Sequence, residues 1–288
     1  MKAAKGHPSI GVMQGRLLPK YKGRYQAHPV DIWPNEFEIA RRLNLSLIEF
    51  ILDYDEVERN PLRTSQGRKV ISQTSYASGI GVKTVCADYF MEAPLHSMDR
   101  NVQVASVGIL EDLILHCPSL GITDIVIPCV DHSTLPDKQS RARFISALQE
   151  SEIVHENVHV RLAIESDLGP QEFGELLDRI SLPNIAVNYD IGNSASLGYD
   201  FEEEFEVYGH LISDVHIKDR LLGEGSVELG SGSAKIEEIL FNLEENDYPG
   251  VYIMQAFRDD EGLAVFKKQL NFVRNIFSQI YEQERVND

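Results

Sequence analysis

Short apolar, β-branched runs alternate along this chain with longer stretches of helical periodicity. Runs at 9–14, 45–52, 81–88, 123–129, 158–165, 185–190, 211–217 and 251–255 read as eight strands. Helical patterns fall between them, at 35–43, 67–78, 96–116, 138–156, 170–180, 201–210, 234–245 and 263–284. Within 96–116, Val104, Val107, Leu110 and Ile114 recur at the spacing of a buried helical face. Eight strands alternating with eight helices predict the α/β class. The regular count favours a single parallel, eight-stranded (β/α)8 barrel over an open sheet. No Gly-rich dinucleotide fingerprint follows the first strand, which weakens the open-sheet alternative. Pro and Gly are scattered singly and no low-complexity linker intervenes, so residues 1–288 are expected to form one domain.

Three of the runs end in metal-ligand residues. Leu162-Ala163-Ile164 leads into Glu165, Ile185-Ala186-Val187-Asn188-Tyr189 into Asp190, and Asp214-Val215 into His216; Val251-Tyr252-Ile253-Met254 leads into Gln255. In a parallel barrel the C-terminal strand ends share one mouth, so these four side chains are expected to converge. Any one of them alone would be read as a helix cap, an ion-pair partner or a satisfied core histidine. Their recurrence at equivalent positions of successive strands points to a divalent cation. Oxygen donors with one imidazole suit Mn2+, Mg2+, Co2+ or Zn2+, and do not resemble a structural Cys-based zinc site.

Composition narrows the field. With 43% hydrophobic side chains in 288 residues the chain can bury a large core. A formal net charge of −18 argues against nucleic acid as the main partner, because phosphate backbones demand clustered Lys and Arg. Cys86, Cys117 and Cys129 lie in or beside apolar runs without Cys-x-x-Cys spacing, and read as buried, reduced thiols. Residues 1–8 lack the apolar core of a signal peptide, and no apolar run approaches the ~20 residues needed to span a bilayer. A soluble cytoplasmic protein without a membrane partner is the expectation.

Ala163-Ile164-Glu165-Ser166, Asn188-Tyr189-Asp190-Ile191-Gly192-Asn193, Val215-His216-Ile217-Lys218-Asp219 and Gly230-Ser231-Gly232 resemble the xylose isomerase-like TIM barrels. The closer likeness is to the sugar phosphate isomerases/epimerases of that superfamily, and Ile48-Glu49-Phe50 on the second strand also fits. The likeness spans nearly the whole chain. It implies one divalent metal, Mn2+ first and Mg2+, Co2+ or Zn2+ as alternatives. Glu165, Asp190, His216 and a fourth acidic residue on the last strand would hold it. This chain departs from the pattern at that fourth place, where Gln255 stands. A Gln can offer its carbonyl oxygen but cannot exchange a proton near neutral pH. The likeness further implies a homo-oligomer, dimer or tetramer, and a small sugar or sugar phosphate as substrate.

The reaction so implied deprotonates carbon beside a ketose carbonyl, with the cation stabilising the enediolate. Glu165 serves as ligand and base. Epimerases of this type use a Glu on each face of the substrate, and Gln255 removes the second. Glu49, Asp53, Asp88 and Asp219 are replacements by strand-end position alone, so Glu165, Gln255 and Glu49 are the catalytic candidates. An isomerisation can run on one base. The alternatives are a metal-dependent keto-cyclitol dehydratase of the same superfamily and a non-catalytic sugar-binding relative. An abasic-site endonuclease is disfavoured, because it needs several zinc ions and many more ligands than the nine His here supply.

Gln14 and Arg16 follow the first strand, Lys218 the seventh and Arg258 the eighth; with Asn193 they are the substrate-binding candidates. The arginines could equally pair with mouth carboxylates, and Asn193 could cap the next helix. Gly230-Ser231-Gly232-Ser233 leads into a helix whose N–H groups could cradle a phosphate, or merely forms a tight turn. The basic, aromatic segment 19–28 reads as a lid or as a solvated loop. Trp33 and Tyr89 are better read as packing than as walls for a sugar. The run Glu202-Glu203-Glu204 reads as an exposed helix start.

Overall fold

In the computed structural model, which describes residues 8–151 and 159–287, all eight apolar runs are strands of one closed parallel barrel. Its first half comprises β1 (Ile10–Met13), α1 (Pro34–Arg42), β2 (Leu47–Ile51), α2 (Ser65–Ser78), β3 (Thr84–Cys86), α3 (Tyr89–Glu92), α4 (Arg100–His116), β4 (Asp124–Cys129) and α5 (Lys138–Gln149). The second half continues with β5 (Arg161–Ser166), α6 (Pro170–Ile180), β6 (Ile185–Asp190), α7 (Ile191–Leu197), α8 (Phe201–Tyr208) and β7 (Ile212–Ile217). A two-stranded antiparallel hairpin, β8 (Asp219–Arg220) with β9 (Ser226–Val227), then precedes α9 (Ile236–Glu245), β10 (Val251–Met254) and α10 (Leu263–Asn287). The barrel closes where β10 pairs with β1, with Ile10 opposite Tyr252 and Val12 opposite Met254. This is a (β/α)8 TIM barrel.

Local chemistry explains where the helices sit. α6 starts with Pro170, whose fixed φ suits a first turn, and buries Phe173, Leu176, Leu177 and Ile180 at i, i+3, i+4 and i+7. α5 is launched by a capping box, in which the Asp137 carboxylate accepts from Ser140 N and the Ser140 hydroxyl faces back. The helical expectation over 138–156 is met to Gln149; its end, and the start of the strand expected at 158, fall partly outside the described residues. Short α3 and α7 and the β8–β9 hairpin were not anticipated, because each is too brief to show a period.

Two apolar layers build the core. The larger fills the space between strands and helices, and holds Trp33 against Phe37 and Phe50, and Tyr89 against Tyr54 and Phe90. The smaller, Met13, Leu47, Ile51, Cys86, Val126, Ala163, Ala186 and Ile253, fills the barrel itself. These inward positions alternate with outward ones, and the same alternation sends Glu49, Thr84, Asn188 and Asp214 into the barrel, each at most 2% exposed. All three cysteines are buried thiols. Among the described residues no helix is long and apolar enough to cross a membrane.

One expectation is corrected here. The Glu202-Glu203-Glu204 run does not lie wholly on the surface. Glu204 turns inward, and its carboxylate accepts from the hydroxyls of Tyr189, Ser194 and Tyr208. The i+4 spacing to Tyr208 places both on the buried face of α8.

Glu36 on α1 is also fully buried. Its carboxylate accepts from Gly15 N at 2.7 Å and Leu17 N at 3.3 Å, pinning the turn after β1, while burial pushes it up to about 7. The fold therefore holds this proton more tightly than the unfolded chain does, for which the ordinary value is 4.5. The stability it confers is complete below about pH 4.5 and is lost as pH rises through 7. Glu36→Gln is expected to remove that decline, so that between pH 4.5 and pH 8 the variant loses up to about 3 kcal/mol less stability than the native chain does. Urea unfolding across pH 4.5–8 measures it; an unchanged slope would assign the decline to another group.

Candidate active site

Four strand ends bring the expected ligand residues together. Glu165 stands near the end of β5, Asp190 ends β6, His216 lies near the end of β7, and Gln255 directly follows β10. Asp190 and His216 are paired in register, as are Ile253 and His216, so adjacent strands deliver these side chains to one level. Glu165, Asp190 and His216 each offer a ligand atom within 4.8 Å of the others, and all are at most 5% exposed.

Their hydrogen bonds orient them. Asn193 spans the two carboxylates: its Nδ2 donates to Glu165 Oε1 at 2.6 Å and its backbone N to Asp190 Oδ1 at 2.9 Å. Lys218 Nζ donates to Asp190 Oδ2 at 3.0 Å and to Asn193 Oδ1 at 3.1 Å. The cap of α7 is Asp190 and not Asn193, which lies in the first turn with its backbone N–H capped and its side chain turned to the cavity. Burial and the adjacent Asp190 push Glu165 up to about 7, as expected of carboxylates crowded in a low-dielectric site. A divalent cation would relieve that crowding.

Two further donor atoms are left over. His216 Nε2 faces Glu49 Oε1 at 2.9 Å, whereas its Nδ1 is buried without a partner. With the Nε2 proton held by Glu49, the Nδ1 lone pair is the one presented to a metal. Gln255 Nε2 donates to Gln26 Oε1 at 3.2 Å, and its Oε1 is likewise buried without a partner. Unpaired buried polar atoms are costly, so an imidazole nitrogen and an amide oxygen left bare beside two carboxylates fit a divalent ion well.

Above this floor opens a cavity of about 360 Å3. Glu165, Asn193, Lys218, Gln255 and Arg16 line it, as expected of the mouth. Asp190 and His216 lie behind its lining, and Glu49, Gln14 and Arg258 do not reach it. Glu49 is 0% exposed and lies beneath His216, where it meets Asp214, whose carboxyl burial and the Glu49 carboxylate push well above the usual range. Gln14 is used internally, its Oε1 against His28 Nδ1 at 2.8 Å and Ile51 N at 3.1 Å. Arg258 spends its guanidinium on the carbonyls of Gly15 and Leu18, at 2.7 Å each. Strand-end position places a residue near the mouth, but the following loops decide whether its side chain turns inward.

The glycine loop also differs from expectation. The Asp219 carboxylate fills the cradle, accepting from Gly230 N at 2.9 Å, Gly232 N at 2.8 Å and Ala234 N at 3.1 Å. A Cβ on Gly232 would lie 2.1 Å from Asp219 Oδ1, so glycine is required for this close approach. The loop's N–H groups hold the chain's own anion, which removes both the phosphate cradle and Asp219 from the site.

Arg24, Tyr25 and Gln26 of the 19–28 segment line the cavity, with Asp88, Arg220 and Ser226. The sequence signal for the first three was the segment's basic and aromatic composition. Asp88 showed only by strand-end position, and Arg220 and Ser226 by nothing. Arg24 is held by Asp53 through bonds of 2.7 and 2.9 Å, and Arg16 lies 5.1 Å over the Tyr25 ring while donating to Ala256 O and Tyr25 O. The segment is therefore tied to the barrel at the cavity wall.

A family model described as xylose isomerase-like TIM barrel matches residues 37–276. A protein of Haemophilus influenzae named "Putative L-ribulose-5-phosphate 3-epimerase SgbU" is 23% identical over 261 residues, which cover 84% of this chain and 91% of that protein. The structure of an L-ribulose 3-epimerase superposes with a TM-score of 0.74 at 15% identity, covering 98% of each chain. A xylose isomerase-like TIM barrel protein from Mycobacterium smegmatis, in complex with magnesium, gives 0.68 at 14% identity, over 98% of this chain and 100% of its own. At these identities the solved structures share the fold.

Proposed function

Because this chain belongs to the xylose isomerase-like TIM barrel family, we propose that it is a divalent-metal-dependent isomerase/epimerase of a sugar or sugar phosphate. The observation that carries the reading is the pair of buried, unpartnered donors, His216 Nδ1 and Gln255 Oε1, beside Glu165 and Asp190 on the floor of a polar cavity. The epimerase names among its relatives support the substrate class, and the magnesium complex of a relative supports a divalent ion.

Glu165, Asp190, His216 and Gln255 would hold the cation. When bound, it supplies positive charge opposite the carbonyl and hydroxyl oxygens of an α-hydroxy ketone, which makes the adjoining C–H more acidic. The Glu165 carboxylate takes that proton, and Asn193 Nδ2 keeps its Oε1 in place. Lys218 neutralises part of the charge on Asp190 and sits at the cavity wall, where Arg220 adds a second cation for substrate oxygens. Gln255 cannot return a proton from the opposite face. Asp53 is committed to Arg24 and Asp88 to Gln26. The chemistry the residues favour is transfer of one proton by Glu165 between neighbouring carbons, an aldose–ketose isomerisation.

The test is turnover of Mn2+-loaded protein with a panel of ketoses, aldoses and their phosphates in D2O, followed by NMR. Isomerisation with partial deuterium incorporation at the carbon beside the carbonyl is expected. Clean C3 inversion of a ketose that persists in Gln255 variants would sink the one-base mechanism. No exchange with any substrate in the panel would sink the enzymatic reading.

A further inference from the structure

Gln26 is held from three sides, and the arrangement bears on why an amide stands at position 255; the argument rests on the metal-site reading above. Arg16 Nη2 donates to Gln26 Oε1 at 2.9 Å, and Gln255 Nε2 donates to the same oxygen at 3.2 Å. Gln26 Nε2 donates in turn to Asp88 Oδ2 at 2.7 Å, while the other Asp88 oxygen accepts from Cys86 Sγ at 3.1 Å. Arg16 can only donate, and both oxygens of Asp88 act as acceptors. Turning the Gln26 amide over would set its NH2 against a guanidinium and its carbonyl against a carboxyl oxygen. The orientation is therefore locked. Gln255 meets a fixed acceptor on one side, which only an N–H donor satisfies, and its carbonyl oxygen is left bare on the other.

We propose that Gln26 is a positioning residue that presents the Gln255 carbonyl oxygen to the divalent cation, and that positions 26 and 255 form a matched pair. The fixed carbonyl of Gln26 selects an amide at 255. A Glu there would bring carboxylate oxygen against Gln26 Oε1, two acceptors with no proton between them. The first loop thus reaches across the mouth to set the last strand's ligand.

The experiment is Mn2+ binding by calorimetry for the native chain, Gln26→Leu, Gln255→Glu and the double variant. Gln26→Leu is expected to weaken Mn2+ binding about three- to tenfold, the worth of one orienting hydrogen bond. In the Gln255→Glu background the same change should leave affinity unaltered or tighten it, because it removes a repulsive contact. Gln26→Glu keeps an acceptor facing Gln255 but turns its second oxygen on the Asp88 carboxylate, so it is paired with Asp88→Asn, whose amide can donate to it, and that double variant should retain native affinity. An equal loss in both backgrounds, no loss in the native background, or failure of the Gln26→Glu/Asp88→Asn variant to retain binding would each overturn the pairing. A native chain that binds no Mn2+ would overturn the metal site itself, whereas native binding with an unchanged Gln26→Leu variant would overturn only the pairing.

Discussion

Glu165→Ala and His216→Ala are each expected to strip the chain of its divalent ion and to lower turnover by about a thousandfold or more. Each change deletes one of the donors gathered within 4.8 Å at the barrel floor. His216→Ala also leaves the Glu49 carboxylate buried without its partner, so this variant should lose stability as well. Metal per chain after Mn2+ reconstitution is the direct measurement, with about one ion in the native protein and close to none in either variant. A thermal shift gives a second reading: Mn2+ at 100 times its dissociation constant stabilises the native fold by about 2.7 kcal/mol and should do little for the variants. Glu165→Gln separates the two roles of that residue. It keeps an oxygen donor, so it should retain part of the metal while losing the base. Native protein that takes up no ion would refute the metal centre, and variants that keep a full complement would move the ligands elsewhere.

Asp219→Ala should be the most damaging single change outside the metal ligands. Its carboxylate is fully buried and accepts from three backbone N–H groups of the loop that follows the β8–β9 hairpin. Hydrogen bonds to a charged acceptor are worth more than neutral ones, and the three N–H groups left behind lose the acceptor they have among the described residues. The expected loss is about 3–5 kcal/mol, or roughly 10 °C in melting temperature for a chain of this size. The hairpin carries Arg220 and Ser226 to the cavity wall, so substrate affinity should fall with stability. Asp219→Asn, which keeps one carbonyl acceptor, should lie between the two. A melting temperature indistinguishable from native would show that the loop is held by its other contacts. Inorganic phosphate should stabilise the Asp219→Ala variant by entering the vacated cradle, and should have no such effect on the native chain.

The sequence by itself determined the barrel and the floor of its mouth. Each strand was legible because a short apolar, β-branched run bounded by turn residues is a local signal that needs no partner. The end of such a strand also states where its last side chain lies in a closed parallel barrel, and so Glu165, Asp190, His216 and Gln255 could be assembled before any contact was known. The tertiary structure alone decided what the loops do. Gln14, Arg16 and Arg258 look alike as residues following a strand, yet Arg16 reaches the cavity and the other two bond within the wall. The glycine cradle and Asp219 lie more than ten residues apart along the chain, and only folding places that carboxylate where a phosphate was expected. Gln26 and Gln255 are separated by 229 positions. A periodic pattern records which way a side chain points from its own backbone. Which partner it finds there depends on segments that meet only when the barrel closes.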